Sequence, residues 1–315
     1  MRGRFAPSPS GEMHLGNAWT ALLAWLQVRS AAGSLVLRIE DLDPDRSRPQ
    51  FSRQLLEDLS WLGLEWDEGP DTGGNKGPYC QNERRLFYTE ALDSLKRKGR
   101  LYPCYCTREE IREASLAPHE PEVGRIYPGT CRQLSDAQRR EREASGRQPA
   151  WRLEVPTQEI GFSDLCQGEV SQNLSEAGDF VLQRADGVHA YQLAVVVDDA
   201  LMGITHVLRG DDLLPSTARQ IFLYRALELP PPSFAHVPLL LGLDGHRLSK
   251  RHGDLSLASL RRRGVRAEQI IGYLAGLAGM TPKGEAVTAR ELVPVFSLEA
   301  LSKTPLIVRV ESIVR

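Results

Sequence analysis

Apolar residues recur along the chain with a period that changes by region. Leu15, Trp19, Leu22 and Leu26 follow one another at three- and four-residue steps, the spacing of one buried helical stripe. Just before them, the stretch from Arg4 to Asn17 reads as a strand end, a Pro/Ser/Gly turn and a helix start. Gly33 is expected to stop that helix, and residues 34–39 (Ser-Leu-Val-Leu-Arg-Ile) to form a second strand. The chain therefore opens with a β-loop-α-β unit whose helix N-terminus lies just after His14 and Gly16. Free N–H groups and partial positive charge make such an end suited to a phosphate. Gly16 would let backbone come close to a ligand.

Helical periodicity resumes with Phe51, Leu55, Leu59 and Leu62, and again with Leu86, Phe87, Ala91 and Leu95 ahead of Gly99. From residue 101 to 178 strand-helix alternation is lost, and capping boxes at Thr107–Glu110 and Ser135–Gln138 open short polar helices. This segment reads as an insertion. Residues 180–184 and 188–193 flank Asp186-Gly187 as a hairpin, and residues 194–197 (Ala-Val-Val-Val) read as a buried strand followed by Asp198 and Asp199. A strand over 204–209, a helix over 217–227 and a strand over 237–241 come next. The remainder is helical by pattern, at 255–263, 267–277 and 289–296. The expected class is α/β. Its parts are 1–100 as the first half of a catalytic domain, 101–178 as the insertion, 179–245 as the second half, and 246–315 as a loop with a helical C-terminal part.

The composition changes this picture little. At 41% hydrophobic and 25% charged residues it is that of a soluble globular protein, without an apolar run long enough to span a bilayer. The N-terminus has charge but no apolar signal core, so the expected location is cytoplasmic, away from membranes. Five cysteines at uneven spacing argue against a disulfide framework. The net charge is −2, but residues 246–315 carry 12 Lys/Arg against 6 Asp/Glu, leaving 27 basic and 35 acidic residues elsewhere. A basic C-terminal part on an acidic body fits a local polyanion surface.

Three constellations carry candidate chemistry. Arg247-Leu-Ser249-Lys250-Arg251 is a cationic, Gly-bounded loop after a strand, able to close over a polyphosphate and neutralise a leaving group. Arg4 and Arg209 supply cations and Glu40 an anion at expected strand ends, with Tyr191 adding a phenol. Cys104, Cys106 and Cys131 offer three thiolates to a tetrahedral Zn2+; His119 is the usual choice for a fourth ligand and Tyr127 a rare one. No convincing Ser-His-Asp or Cys-His nucleophile arrangement is present.

Residues 14–17 resemble the His-Ile-Gly-His element of class I aminoacyl-tRNA synthetases, with Asn17 in place of the second His. Residues 247–251 resemble their Lys-Met-Ser-Lys-Ser element, and residues 4–9 with 38–43 resemble the glutamyl branch. The resemblance covers almost the whole chain. It implies a Rossmann-type catalytic domain with a zinc-bearing insertion and a short helical C-terminal part. It also implies glutamate binding by Arg4, Phe5, Ala6, Pro7, Ser8, Glu40, Tyr191 and Arg209. ATP, with Mg2+, would meet His14, Gly16, Asn17, Ser249 and Lys250, of which His14 and Lys250 would be catalytic. In the glutamyl-queuosine branch a Cys-x-Cys is followed by Tyr-x-x-x-Cys, which matches Cys104, Cys106, Tyr127 and Cys131 as zinc ligands. Full glutamyl-tRNA synthetases carry a C-terminal anticodon-binding part, and about 65 residues after Lys250 are too few for one. The queuosine branch is therefore expected: a monomer that activates L-glutamate with ATP in the absence of tRNA and transfers it to queuosine in tRNA(Asp). The rivals are a truncated synthetase charging tRNA 3′ ends and an inactive relative that binds tRNA or glutamate.

Overall fold

The first strand, β1 (Arg2–Phe5), feeds α1 (Leu15–Ser30), which returns the chain to β2 (Ser34–Leu37), parallel to β1 with Arg4 opposite Val36. Next come α2 (Pro49–Trp61), α3 (Arg85–Arg97), β3 (Leu101–Cys104), α4 (Asp136–Ala144) and β4 (Ala150–Leu153). The hairpin β5 (Glu159–Asp164) and β6 (Gly168–Asn173) precedes β7 (Phe180–Gln183), α5 (Tyr191–Leu201), β8 (His206–Gly210) and α6 (Leu214–Ala226). The chain closes with β9 (Ser233–Val237), β10 (Leu240–Leu241), α7 (Leu257–Arg262), α8 (Ala267–Leu277), α9 (Ala289–Leu292) and β11 (Leu306–Ile307). This is a computed structural model, and it describes residues 1–45, 47–107, 109–111, 127–176, 178–248, 255–309 and 313.

The main sheet has strand order β2-β1-β8-β9-β5-β6, parallel except for the outer hairpin pair. Alternation along its strands builds two cores. Leu35, Leu37, Leu208 and Ala235 join one, while Val36, Val207 and Phe234 join the other. With both faces covered, the strands read as apolar runs rather than half-polar ones. The order reverses at β1, between β2 and β8, which is where open α/β sheets leave a crevice at the strand ends.

Four expectations change. α1 is buried along nearly its whole surface rather than on one stripe, since it packs on the sheet and against the C-terminal segment. Its indoles are satisfied there: Trp19 donates to the Pro238 carbonyl at 2.8 Å and Trp25 to that of Glu65 at 3.0 Å. The left-handed residue after α1 is Ala32 (φ 48°), not Gly33. Gly33 is needed because a Cβ there would lie 2.4 Å from the Met1 carbonyl oxygen. Residues 194–197, expected to be strand, lie inside α5, which runs from Tyr191 to Leu201, and the 188–193 strand shrinks to a bridge between Gln183 and His189. α5 is buried from Leu193 to Asp199, so its apolar residues show no polar-apolar period and its three valines imitate a strand. Finally, the border expected at residue 178 does not separate two sheets. β5 and β6 of the expected insertion complete the main sheet, whereas β7 pairs with β4 in a small antiparallel sheet of order β3-β4-β7.

Candidate active site

His14 is the N-cap of α1. Its Nδ1 accepts from the N–H groups of Gly16 (3.1 Å) and Asn17 (3.4 Å), while the Asn17 side chain accepts from the His14 N–H at 3.3 Å. Asn17, the departure from the family motif, thus closes a capping box. With Nδ1 occupied as an acceptor, a neutral imidazole carries its proton on Nε2, as a donor. Gly16 serves this arrangement directly: a Cβ there would lie 3.0 Å from the His14 ring.

A buried ionic cluster stands at the C-terminal ends of β1 and β2. Arg38 donates to Asp199 at 2.7 Å and to Glu40 at 3.2 Å, and lies 3.6 Å from Asp198. Burial opposes the charge on Arg38, but Asp199, Asp198 and Glu40 outweigh it and hold its pKa well above the ordinary arginine value. Burial raises the Glu40 pKa, with Arg38 and Arg4 pulling the other way. Arg4 donates to the Leu208 carbonyl at 3.1 Å and lies 3.5 Å from Asp199. Asp198 in turn accepts from Arg84 (2.6 Å), Gln81 (2.8 Å) and Tyr88 (2.9 Å). Nothing in the local sequence assigns a role to Arg38, Arg84 or either aspartate. The apolar pattern places the two carboxylates after a strand, whereas α5 turns them inward.

Arg4 and Glu40 of this cluster border a cavity of about 600 Å³, within the range of small-ligand sites. Arg4, Phe5, Ala6, Pro7 and Ser8 line it from the β1 loop, and His14, Gly16 and Asn17 from the start of α1. Glu40, Arg209 and Tyr191, the first residue of α5, complete that set. Burial, then Glu40, raises the Tyr191 pKa, so its phenol remains a neutral hydrogen-bonding group. Arg247, from the base of the cationic loop, also reaches the cavity and pairs with Asp212 on the facing wall. Ser249 and Lys250 lie outside the described residues.

The polar floor under Arg209 extends further than the sequence suggested. Arg209 Nε donates to His236 Nε2 at 3.0 Å, and its Nη2 donates to the Thr217 hydroxyl at 2.9 Å. His236 meets Asp164 at 2.5 Å. Asp164 belongs to the β5 hairpin, and nothing in its local sequence marks it as part of this site. His189, by contrast, packs against the Tyr88 ring at 5.6 Å between centroids and does not line the cavity.

Far along the chain, β3 and the turn before α4 bring together Cys104, Cys106 and Cys131, with their sulfurs within 4.8 Å of one another. Cys106 and Cys131 Sγ are 3.4 Å apart, too far for a disulfide. Tetrahedral zinc with ordinary thiolate bonds separates its sulfurs by about 3.8 Å, so the group is near the size such an ion requires. Tyr127 Oη lies 3.4 Å from Cys104 Sγ and 3.7 Å from Cys106 Sγ, and accepts from the Cys131 N–H at 2.7 Å. The donor set therefore fits zinc with Tyr127 at the fourth corner. His119 lies outside the described residues.

Known proteins resemble this chain over nearly its whole length. A family model described as the catalytic domain of class I tRNA synthetases (E and Q) matches residues 1–314. The chain is 55% identical over 312 residues to a protein of Symbiobacterium thermophilum named glutamyl-Q tRNA(Asp) synthetase, spanning 99% of this chain and 97% of that one. A Nitratidesulfovibrio vulgaris protein of the same name is 50% identical, over 98% and 95% of the two chains. The crystal structure of an Elizabethkingia meningosepticum glutamate tRNA ligase, in complex with its amino acid, superposes with a TM-score of 0.87 at 30% identity. That match covers 99% of this chain and 68% of the ligase.

Proposed function

The chain belongs to the class I tRNA synthetases of the glutamyl and glutaminyl type, and on that premise we propose that it activates L-glutamate with ATP and transfers it to queuosine in the anticodon of tRNA(Asp). The observation that carries the proposal is the cavity's charge set. Arg247 and Asp212 of its lining pair with each other, while Arg4, Arg209 and Glu40 suit a substrate with two carboxylates and one ammonium.

The glutamate α-carboxylate is already ionised at neutral pH and attacks the α-phosphorus of ATP without a general base. A carboxyl oxygen–phosphorus bond forms, the bond to the bridging oxygen breaks, and pyrophosphate leaves with its electron pair. A queuosine hydroxyl then attacks the carbonyl of the mixed anhydride, loses its proton and releases AMP. The protein's task is to position the reactants and neutralise developing charge. His14, through Nε2–H, and the start of α1 serve the phosphates; Lys250 and Ser249 act on ATP from their loop by analogy with the family motif. Mg2+ bound with ATP would neutralise part of the phosphate charge. Zn2+ on Cys104, Cys106, Tyr127 and Cys131 would cross-link the insertion. The basic C-terminal face, where Arg262, Arg263 and Arg266 are exposed, would take the anticodon stem-loop. The protein would act as a cytoplasmic monomer; no described helix is long and apolar enough to cross a membrane.

Glutamate-dependent ATP–pyrophosphate exchange, measured without tRNA, tests the first step. Transfer to tRNA(Asp) with and without queuosine tests the second. Exchange without tRNA and queuosine-dependent transfer are expected. Exchange that requires tRNA(Glu), with charging of its 3′ end, would overturn the queuosine assignment, and no exchange at all would support a binding protein. Lys250→Ala should slow exchange about 100-fold or more while leaving glutamate binding nearly intact. An equal collapse of glutamate binding would remove Lys250 from the ATP side.

A further inference from the structure

Arg209 is held on one edge only. Its Nε and Nη2 are occupied by His236 and Thr217, whereas Nη1 is buried without a hydrogen-bond partner, in a side chain that borders the cavity. An arginine side chain only donates, so His236 Nε2 must accept. The histidine proton therefore sits on Nδ1 and is donated to Asp164 Oδ2. The other oxygen of Asp164 is fixed as well, since Oδ1 accepts from the backbone N–H groups of Cys166 (3.0 Å), Gln167 (2.8 Å) and His236 (3.1 Å). Both His236 and Asp164 side chains are fully buried. Burial lowers the His236 pKa and Arg209 adds to this, against the opposing pull of Asp164, so the ring is neutral.

We propose that Asp164 and His236 are positioning residues for the substrate: Asp164 fixes the His236 tautomer, that tautomer fixes Arg209, and Arg209 so held presents Nη1 to a carboxylate of glutamate. The inference rests on reading Arg209 as a glutamate-binding residue. It assigns work to a hairpin 45 residues before Arg209, whose sequence carries no family motif. It also predicts a particular failure. In Asp164→Asn the three backbone donors keep the amide oxygen in the place of Oδ1, so the amide NH2 faces His236 Nδ1. The ring must then accept there and carry its proton on Nε2, where it opposes the Nε–H of Arg209 and can be given only to the Thr217 hydroxyl 3.1 Å away, the same acceptor that Arg209 Nη2 uses. The side chain keeps its shape, but the relay points the wrong way.

The test combines exchange kinetics with histidine 15N spectra. Wild-type His236 should show the Nδ1–H tautomer at neutral pH, and Asp164→Asn the Nε2–H form. The KM for glutamate should rise about tenfold or more in Asp164→Asn, the loss expected for a misplaced charged hydrogen-bond donor. The KM for ATP should stay within about threefold, a split that general loosening of the fold would not produce. His236→Gln, which can still accept from Arg209, should bind glutamate better than His236→Leu. An Nε2–H or imidazolium form in the wild type overturns the proposal even if Asp164→Asn does not fold. So does a folded Asp164→Asn with unchanged glutamate KM, or equal losses in the two His236 variants. Arg209→Gln separates the layers. If it leaves the glutamate KM unchanged, the reading of Arg209 fails. If it raises that KM while Asp164→Asn does not, only the relay fails.

Discussion

The crevice at the sheet ends and the thiol cluster near β3 both crowd reactive groups together, but they balance charge in opposite ways. Beneath the crevice, buried cations meet carboxylates supplied by the chain: Arg38 lies among Asp198, Asp199 and Glu40, and Arg84 on Asp198. In the cluster, three sulfurs and a phenol oxygen offer only lone pairs that a metal could take, and the nearby guanidinium of Arg152 lies over the Tyr127 ring at 3.8 Å. A site that carries its own counter-charges can hold its shape before a ligand arrives. A site made only of donors is completed by an ion. The difference separates preorganisation for catalysis from folding on a metal.

The largest effect is expected at the cluster. Structural zinc binding contributes on the order of 10 kcal/mol in small metal-folded peptides, so Cys104→Ser or a strong chelator should release zinc and open the β3-β4-β7 sheet to proteolysis. A Cys104→Ser protein with full zinc content would refute the ligand set. Next comes the crevice itself. Asp198→Ala leaves Arg84 without its buried carboxylate, frees the Gln81 and Tyr88 donors and removes one of three carboxylates around Arg38, and should cost about 3–5 kcal/mol in urea unfolding, with or without glutamate. A cost below about 1 kcal/mol would mean that the crevice is not held by its own charges.

The smallest effect falls on a site between these extremes. Asp58, buried on α2, has one oxygen on Arg261 at 3.2 Å and the other unpartnered, and burial pushes its carboxyl up to about 6. The folded form thus holds this proton more tightly than the unfolded chain does. Raising the pH from about 4 through 6 should cost the wild type on the order of 2 kcal/mol of stability, and Asp58→Asn should lack that loss. Parallel stability curves for the two proteins across this range would show that Asp58 is effectively solvated.

The sequence exposed those parts of the molecule whose signals are local. The opening β-loop-α-β unit was legible because the turn residues and the apolar steps of Leu15, Trp19, Leu22 and Leu26 lie within thirty positions. The spacing of Cys104, Cys106 and Cys131 was legible for the same reason. What stayed hidden depends on burial and on distance along the chain. A helix enclosed on all sides loses the periodicity that identifies it, so the valines of α5 imitate a strand and nothing marks Asp198 and Asp199 as facing inward. Asp164 and His236 meet across 72 positions, and each has an ordinary local context. Arg38 and Glu40 stood together in the motif, but the pairing of Arg38 with Asp199 spans 161 residues and needed the fold to appear.

The path of the chain between the two sheets limits how this protein could be taken apart. From β4 it crosses to the main sheet for β5 and β6, then returns to pair β7 with β4. Excising residues 101–178 as a cassette would therefore remove two outer strands from the main sheet, and the carboxylate beneath Arg209 with them. Exchange of this segment between relatives would have to carry the hairpin's neighbours, or leave the hairpin behind. The thiol-bearing piece and the substrate crevice are thus woven from one interleaved stretch of chain.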